Sequence, residues 1–283
     1  MCPFIIKMDV FSTKILKYFN GLKKANILDA CYIGTNEIIT IIPKLNKSYD
    51  EKIHIGLSGW HNFDIMCVNN PNRGIILDIN SNQVNFMKYT LENISKSNNR
   101  QTFVDNIIDQ LNKLYFIKYK KLLEIINHEL HEKELWNHIN FHLNITDDVT
   151  YDKYNKILNS YNYDKEEFVE IRHELTRKGS WLSTDNNYNY INKLVLNNKI
   201  IVIQENIENY KHFQYLSQML INNNIDVETL YVSNVHGYIN NKNNLIETVK
   251  LLTDNNTKII WSDINLQQKV GNTNSYIKTL IQL

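Results

Sequence analysis

Apolar residues along this chain come in two textures. One consists of short, nearly unbroken runs: KIHIGLSG (52–59), GIILDIN (74–80), KIIVIQEN (199–206), VETLYVSNV (227–235) and TKIIWSDI (257–264). Such runs, bounded by polar or glycine-containing turns, predict strands buried on both faces. The other texture spaces its apolar residues three and four apart. It covers WHNFDIMCVNN (60–70), VNFMKYTLENI (84–94), YNYINKLVLNN (188–198), HFQYLSQMLINN (212–223) and NLIETVKLLTDN (244–255), and predicts amphipathic helices. Pro71 marks the end of the first of these.

Alternation of buried strands with helices predicts an α/β domain: a doubly wound, mostly parallel sheet covered on both faces. Residues 1–48 read as a mainly helical N-terminal segment, including VFSTKILKYFNGL (10–22). Residues 98–178 are long, charged and helical in period, an insertion between the second and third strands of one domain spanning 1–283. There is no internal repeat.

Composition narrows the function classes. The chain is 43% hydrophobic and 22% charged, with 8 Gly and 3 Pro, which is globular and lacks a long flexible linker. A formal net charge of +1 gives no global field for nucleic acid or an anionic membrane. KLYFIKYKKL (113–122) is the densest cationic stretch and reads as the solvated edge of a helix. No apolar run approaches the roughly 20 residues of a membrane span. The start MCPFIIKMDVF lacks the pattern of a secretory signal. Cys2, Cys31 and Cys67 show no paired spacing and read as reduced thiols, so a cytoplasmic location is expected.

The first strand runs into HIGLSGWHNFD (54–64), where Gly56, Ser58 and Gly59 form a turn. In a doubly wound fold such a turn lets backbone approach a ligand, and an acidic residue ending the next strand, about 20 positions on, accepts bonds from ribose hydroxyls. Asp78 falls 22 positions after Gly56. G-L-S-G carries two glycines where a dinucleotide fingerprint has three, which weighs against NAD. The structural alternative is that the glycines only permit a tight turn and Asp78 caps the following helix. Upstream, ILDACYIGT (27–35) offers Asp29 and Gly34 but no acidic strand end at a suitable distance.

IHIGLSGWHNFDIMCVNNPNRGIILDI, with its glycine turn, Asn62-Phe63 pair and Asp78-Ile79 strand end, resembles a segment of a largely uncharacterised, mainly bacterial family. That family carries a Rossmann-like, class I methyltransferase-type domain. GSWLSTDNNYNYINKLVLNNKIIVIQEN and LYVSNVHGYI are similar to further blocks of it, so the resemblance covers about residues 50–110 and 178–265. Two positions depart: Glu205-Asn206 stand where the family's third strand ends in Gly-Asp, and His236 stands where it has Glu.

The resemblance implies S-adenosylmethionine as the cofactor and methyl transfer as the reaction, with the acceptor unknown. Position at the carboxyl ends of the strands then assigns roles. Gly56, Ser58, Gly59 and Asn62 approach the amino-acid end or ribose. Asp78 takes the ribose hydroxyls, and Glu205 or Asn206 lies near adenine. Ser233 and Asn234 end the fourth strand where a transferable methyl group would sit. Asn234 either orients an amine or satisfies backbone at a strand end; His236 either accepts a proton or lies exposed in a loop. The departures motivate an alternative, a non-catalytic binding protein on the same fold. Trp181 is expected to be a core anchor rather than a face for adenine. NHELHEKELWNHINFHL (127–143) carries four histidines but not the HExxH zinc spacing, and no GxSxG, P-loop or CxxC motif occurs.

Overall fold

A computed structural model of the protein describes residues 8–27, 34–35, 51–114, 180–263 and 266–282, with side chains placed in helix 100–114 only as far as Ile107. Eight α-helices and six strands occur among them. In chain order they are α1 (Val10–Asn20), β1 (Lys52–Leu57), α2 (His61–Asn69), β2 (Arg73–Asp78), α3 (Ser81–Lys96), α4 (Arg100–Leu114), α5 (Asp185–Leu196), β3 (Ile200–Gln204), α6 (Tyr210–Asn222), β4 (Asp226–Ser233), α7 (Lys242–Leu252), β5 (Lys258–Ser262), β6 (Gln268–Gly271) and α8 (Thr273–Gln282). A single 3-10 turn, Val235–Gly237, follows β4. No helix among the described residues is long and apolar enough to cross a membrane.

The strands form one mixed sheet in the order β3-β2-β1-β4-β5-β6. β1 to β5 run parallel, and β6 pairs antiparallel with β5. Strand residues alternate between two hydrophobic layers. Ile53, Ile55, Leu57, Ile75, Leu77, Ile201 and Ile203 point to the layer covered by α1, α6, α7 and α8. Ile76, Ile200 and Val202 point to the layer covered by α2, α3, α4 and α5. Both faces are therefore dry, which is why the strands read as continuous apolar runs.

Local chemistry sets the helix ends. Asp9 caps α1, its carboxylate accepting from the Ser12 N–H at 2.8 Å, and it also binds Arg73 Nη1 and Lys199 Nζ. Burial pushes the Asp9 carboxyl up, but these hydrogen bonds and the guanidinium outweigh it and hold the group down at about 2. Asn70 ends α2 in the left-handed conformation at φ 53°. Asn80 and Thr184 cap α3 and α5 through their side chains.

Trp181, 0% exposed, sits edge-on to Trp60, Phe63 and Phe103, so it is the expected core anchor. Cys67 is half-buried beside the Asn187 carbonyl, and burial raises its thiol far above the usual range. Cys2 and Cys31, Asp29 of the upstream decoy, the histidine-rich stretch 127–143 and most of the 98–178 insertion lie outside the described residues.

Two elements were not anticipated. QKVG became the antiparallel edge strand β6, and NTNSYIKTLIQL supplied α8, whose Tyr276 and Leu280 close the core below β5.

Candidate functional site

Parallel pairing fixes where the strands end. Leu57 is opposite Leu77, and the Ser58 N–H continues the ladder by donating to Leu77 O at 3.2 Å. Asp78 is opposite Gln204, and the Glu205 N–H donates to Asp78 O. Gly56 is opposite Tyr231, so Ser233 ends β4 level with Ser58. Ser58, Asp78, Glu205 and Ser233 therefore line one carboxyl edge of the sheet. Chain order reverses between β1 and β4, the place where ligands bind in open parallel sheets.

The turn after β1 closes on itself. Asn62, in the first turn of α2, is fully buried and donates Nδ2 to Leu57 O at 2.8 Å and to Gly59 O at 2.7 Å. Its Oδ1 faces His54 Nε2 at 2.9 Å, and His54 Nδ1 faces Thr229 Oγ1 at 2.7 Å. Because both carbonyls accept, the Asn62 amide orientation is fixed, and His54 must carry its proton on Nε2. Thr229 then donates to Nδ1, tying β4 to β1. Burial lowers the His54 pKa to about 4, so the ring is neutral at physiological pH.

This network explains Gly56. A Cβ there would lie 1.9 Å from Asn62 Oδ1 and 2.8 Å from His54 Nε2. The space a side chain would take is filled by the Asn62 amide, so this glycine serves the turn's own packing. Asn62 likewise has its amide committed to the turn. Ser58 sits half-buried at the tip with φ 69°, and Ser233 faces it across the β1/β4 boundary with φ 52°. Left-handed non-glycine residues are uncommon, and two at adjacent strand ends mark a built corner.

Asp78 is the most telling group on the edge. One carboxylate oxygen accepts from the Asn80 N–H at 2.8 Å. Burial raises its pKa to about 6, opposed by hydrogen bonds from the Asn80 and Ile79 backbone. No charged side chain pairs with it among the described residues. A half-buried carboxylate held this way is chemically disposed to accept donors such as vicinal hydroxyls.

Glu205 is differently employed. Its Oε1 accepts from Asn206 N and Asn209 Nδ2, and its Oε2 lies 3.1 Å from His212 Nδ1. The side chain thus clamps the start of α6. Asn206 in turn accepts from the Glu208 N–H, while Glu208 accepts from the Asn240 and Asn241 N–H groups. This knits the loop after β3 to the start of α7 and leaves the adenine role expected of Glu205 and Asn206 to groups already engaged.

Beyond β4, Ser233 Oγ donates to Asn234 Oδ1 at 3.3 Å, and Asn234 opens the 3-10 turn carrying His236. His236 is buried rather than exposed, and its Nδ1 has no hydrogen-bond partner among the described residues. Burial lowers its pKa, with Lys242 acting in the same direction and Asp263 against it. Tyr238, two residues on, is 77% exposed at the rim.

Sequence reasoning missed His54, Thr229, His61 and Asp64. His54 had a signal: it lies two positions before Gly56 in a buried strand and so shares its face. His61 and Asp64 had another, an i, i+3 pair at a helix start.

A family model described as Domain of unknown function (DUF7790) matches residues 32–278, and the chain belongs to that family. No curated protein matches the chain.

Proposed function

We propose that this protein binds S-adenosylmethionine on the carboxyl edge of a Rossmann-like, doubly wound sheet related to class I methyltransferases, and that it uses the cofactor for methyl transfer. The observation that carries the reading is the adjacency of the Ser58 turn and the raised-pKa Asp78 carboxylate at the ends of neighbouring parallel strands. The strand order 3-2-1-4-5 with an antiparallel sixth edge strand supports the same assignment.

The residues fit the ribose end of such a ligand. Asp78 accepts the two hydroxyls, each an O–H donor to a carboxylate that burial has left under-solvated. The Ser58–Gly59 turn brings backbone beside them. The cofactor supplies an electrophilic methyl group, and the chain's contribution is orientation of an acceptor plus removal of a proton where the acceptor bears one. Ser233, Asn234 and His236 border the acceptor side of the same corner.

The test is thermal shift with S-adenosylmethionine and S-adenosylhomocysteine. Either ligand raises the melting temperature of the wild type, and Asp78→Ala removes the rise. Absence of any shift with both ligands defeats the reading.

The self-sealing of the glycine turn by Asn62, and the internal use of Glu205, favour a second reading in which the domain binds a ligand without transferring a group. A wild-type thermal shift with no label transfer from methyl-labelled cofactor to a broad acceptor panel distinguishes it.

A further inference from the structure

The chain leaving α1 is tied to the sheet edge that carries Asp78. Gln204, the last residue of β3, pairs in register with Asp78. Its Nε2 donates to Ala25 O at 2.9 Å and to Ile79 O at 3.2 Å, so one amide bridges residue 25 to the residue that follows Asp78. Lys24 Nζ donates to Gln204 O at 2.8 Å and also to Phe19 O. Ile27 O accepts both the N–H and the Oγ hydroxyl of Ser81, each at 3.0 Å. Ser81 begins α3, so its N–H has no acceptor inside the helix, and residue 27 supplies one.

This stretch is held differently from its flanks. Phe19, near the end of α1, is fully buried in the core. Thr35, farther along, is buried beside β4, its Oγ1 3.4 Å from the Tyr231 hydroxyl. Between them Ala25 and Asn26 are exposed, and Lys24 and Ile27 are half-buried. Residues 23–27 form neither helix nor strand, and hydrogen bonds rather than a buried apolar face hold them down. A segment fastened this way opens locally at far lower cost than the strands beneath it.

We infer that residues 24–27 are a releasable strap across the β2–β3 edge, with Gln204 as the positioning residue that fastens it, and that a ligand held by Asp78 leaves only when the strap lifts. The Gln204 amide joins the strap to the loop whose Asn80 N–H holds the Asp78 carboxylate. The positions of strap and carboxylate are therefore set together. The inference rests on the reading above for what lies at Asp78, and on these hydrogen bonds for the strap itself.

Amide hydrogen exchange of the full chain, resolved by NMR, tests it. The strap shields the Ser81 N–H, whereas the central strands shield those of Ile55 and Ile75. In the wild type, Ser81 exchanges faster than Ile55 and Ile75, at a rate that low urea leaves unchanged while theirs rise. Saturating S-adenosylhomocysteine slows Ser81 several-fold. Gln204→Ala, and the isosteric Gln204→Glu that cannot donate, speed Ser81 exchange about ten-fold, as expected for loss of one to two net hydrogen bonds. S-adenosylhomocysteine then dissociates from both variants faster by a similar factor. Ser81 exchange that rises with urea in step with Ile55 and Ile75 overturns the inference. So does wild-type Ser81 exchange, or wild-type ligand dissociation, in the Gln204 variants. Lys24→Met, which removes the donor to Gln204 O, decides by the same readouts if neither Gln204 variant folds. A wild type that binds no S-adenosylhomocysteine defeats the ligand reading and the gating with it, while the Ser81 comparisons still decide the strap.

Discussion

Replacing Gly56 by alanine tests what this glycine is for. The position is in β1 with ordinary strand backbone, so the change introduces no φ penalty and only adds a methyl group. That methyl would sit 1.9 Å from Asn62 Oδ1, a distance no rotamer adjustment of a fixed amide absorbs. Asn62 must swing away and give up its bonds to Leu57 O, Gly59 O and His54 Nε2. Three net hydrogen bonds at about 1 kcal/mol each, plus the desolvation left on a buried His54 N–H, make a loss of about 4 kcal/mol. That is a large share of a domain stability of roughly 5–15 kcal/mol. Urea unfolding of Gly56→Ala, Asn62→Ala and the double variant measures it. Asn62→Ala alone costs about 3 kcal/mol for the same orphaned groups. The double variant should then cost little more than either, because the clash and the bonds are one event; the coupling is about 3 kcal/mol. Additive losses, or a Gly56→Ala variant as stable as the wild type but unable to bind ligand, refute the packing role and return the glycine to the ligand.

Three further outcomes follow from the titrating and capping groups. The Asp78 pKa is raised from 3.8 to about 6, so the folded state holds that proton more tightly and stability falls as pH climbs through this interval; Asp78→Asn removes the penalty and gains about 2 kcal/mol at pH 7 by urea unfolding, and a loss there would be contrary. His54 runs the other way: its pKa is lowered from 6.5 to about 4, so its contribution is complete above 6.5 and is lost as pH falls towards 4. The two slopes offset in the wild type, and Asp78→Asn should expose the His54 decline, about 3 kcal/mol at full extent; a pH profile as flat as the wild type's contradicts this. At Asp9, Asn preserves the cap on Ser12 N and loses the charge facing Arg73 and Lys199. Asp9→Asn therefore costs about 1 kcal/mol and Asp9→Ala about 2 in thermal melts; a cost-free Asp9→Asn would deny the ion pairs any share, and equal losses would deny the cap one.

The parts of the architecture that were legible are those with dense, periodic burial. IIVIQ and KIIWS face hydrophobic layers on both sides, so nearly every side chain had to be apolar and the strand assignment was forced. β6 gave no such signal because only Gln268 of its four residues is buried, and an antiparallel edge strand asks little of its outer face. Asp78 was legible as a strand-end carboxylate because its spacing from the turn follows from one strand-helix-strand unit. Glu205 was read by the same rule and is engaged elsewhere: Asn209 and His212 lie four and seven residues later, within reach of its carboxylate at the helix start. Position on an edge says where a side chain begins and not which neighbour takes it.

The glycine turn shows the same limit at finer grain. Gly56 and Asn62 are six apart and look like two separate ligand contacts, yet the absent Cβ of one is the room for the amide of the other. Once that amide holds Leu57 O and Gly59 O, the turn no longer depends on a ligand for its shape. The corner is then preorganised, and whatever binds there need not supply the free energy of ordering it. In the proposed reading, recognition shifts to a group with capacity to spare beside the β1 end, the Asp78 carboxylate towards β2. His54, wedged between Thr229 and Asn62, belongs to the scaffold that holds this corner in place.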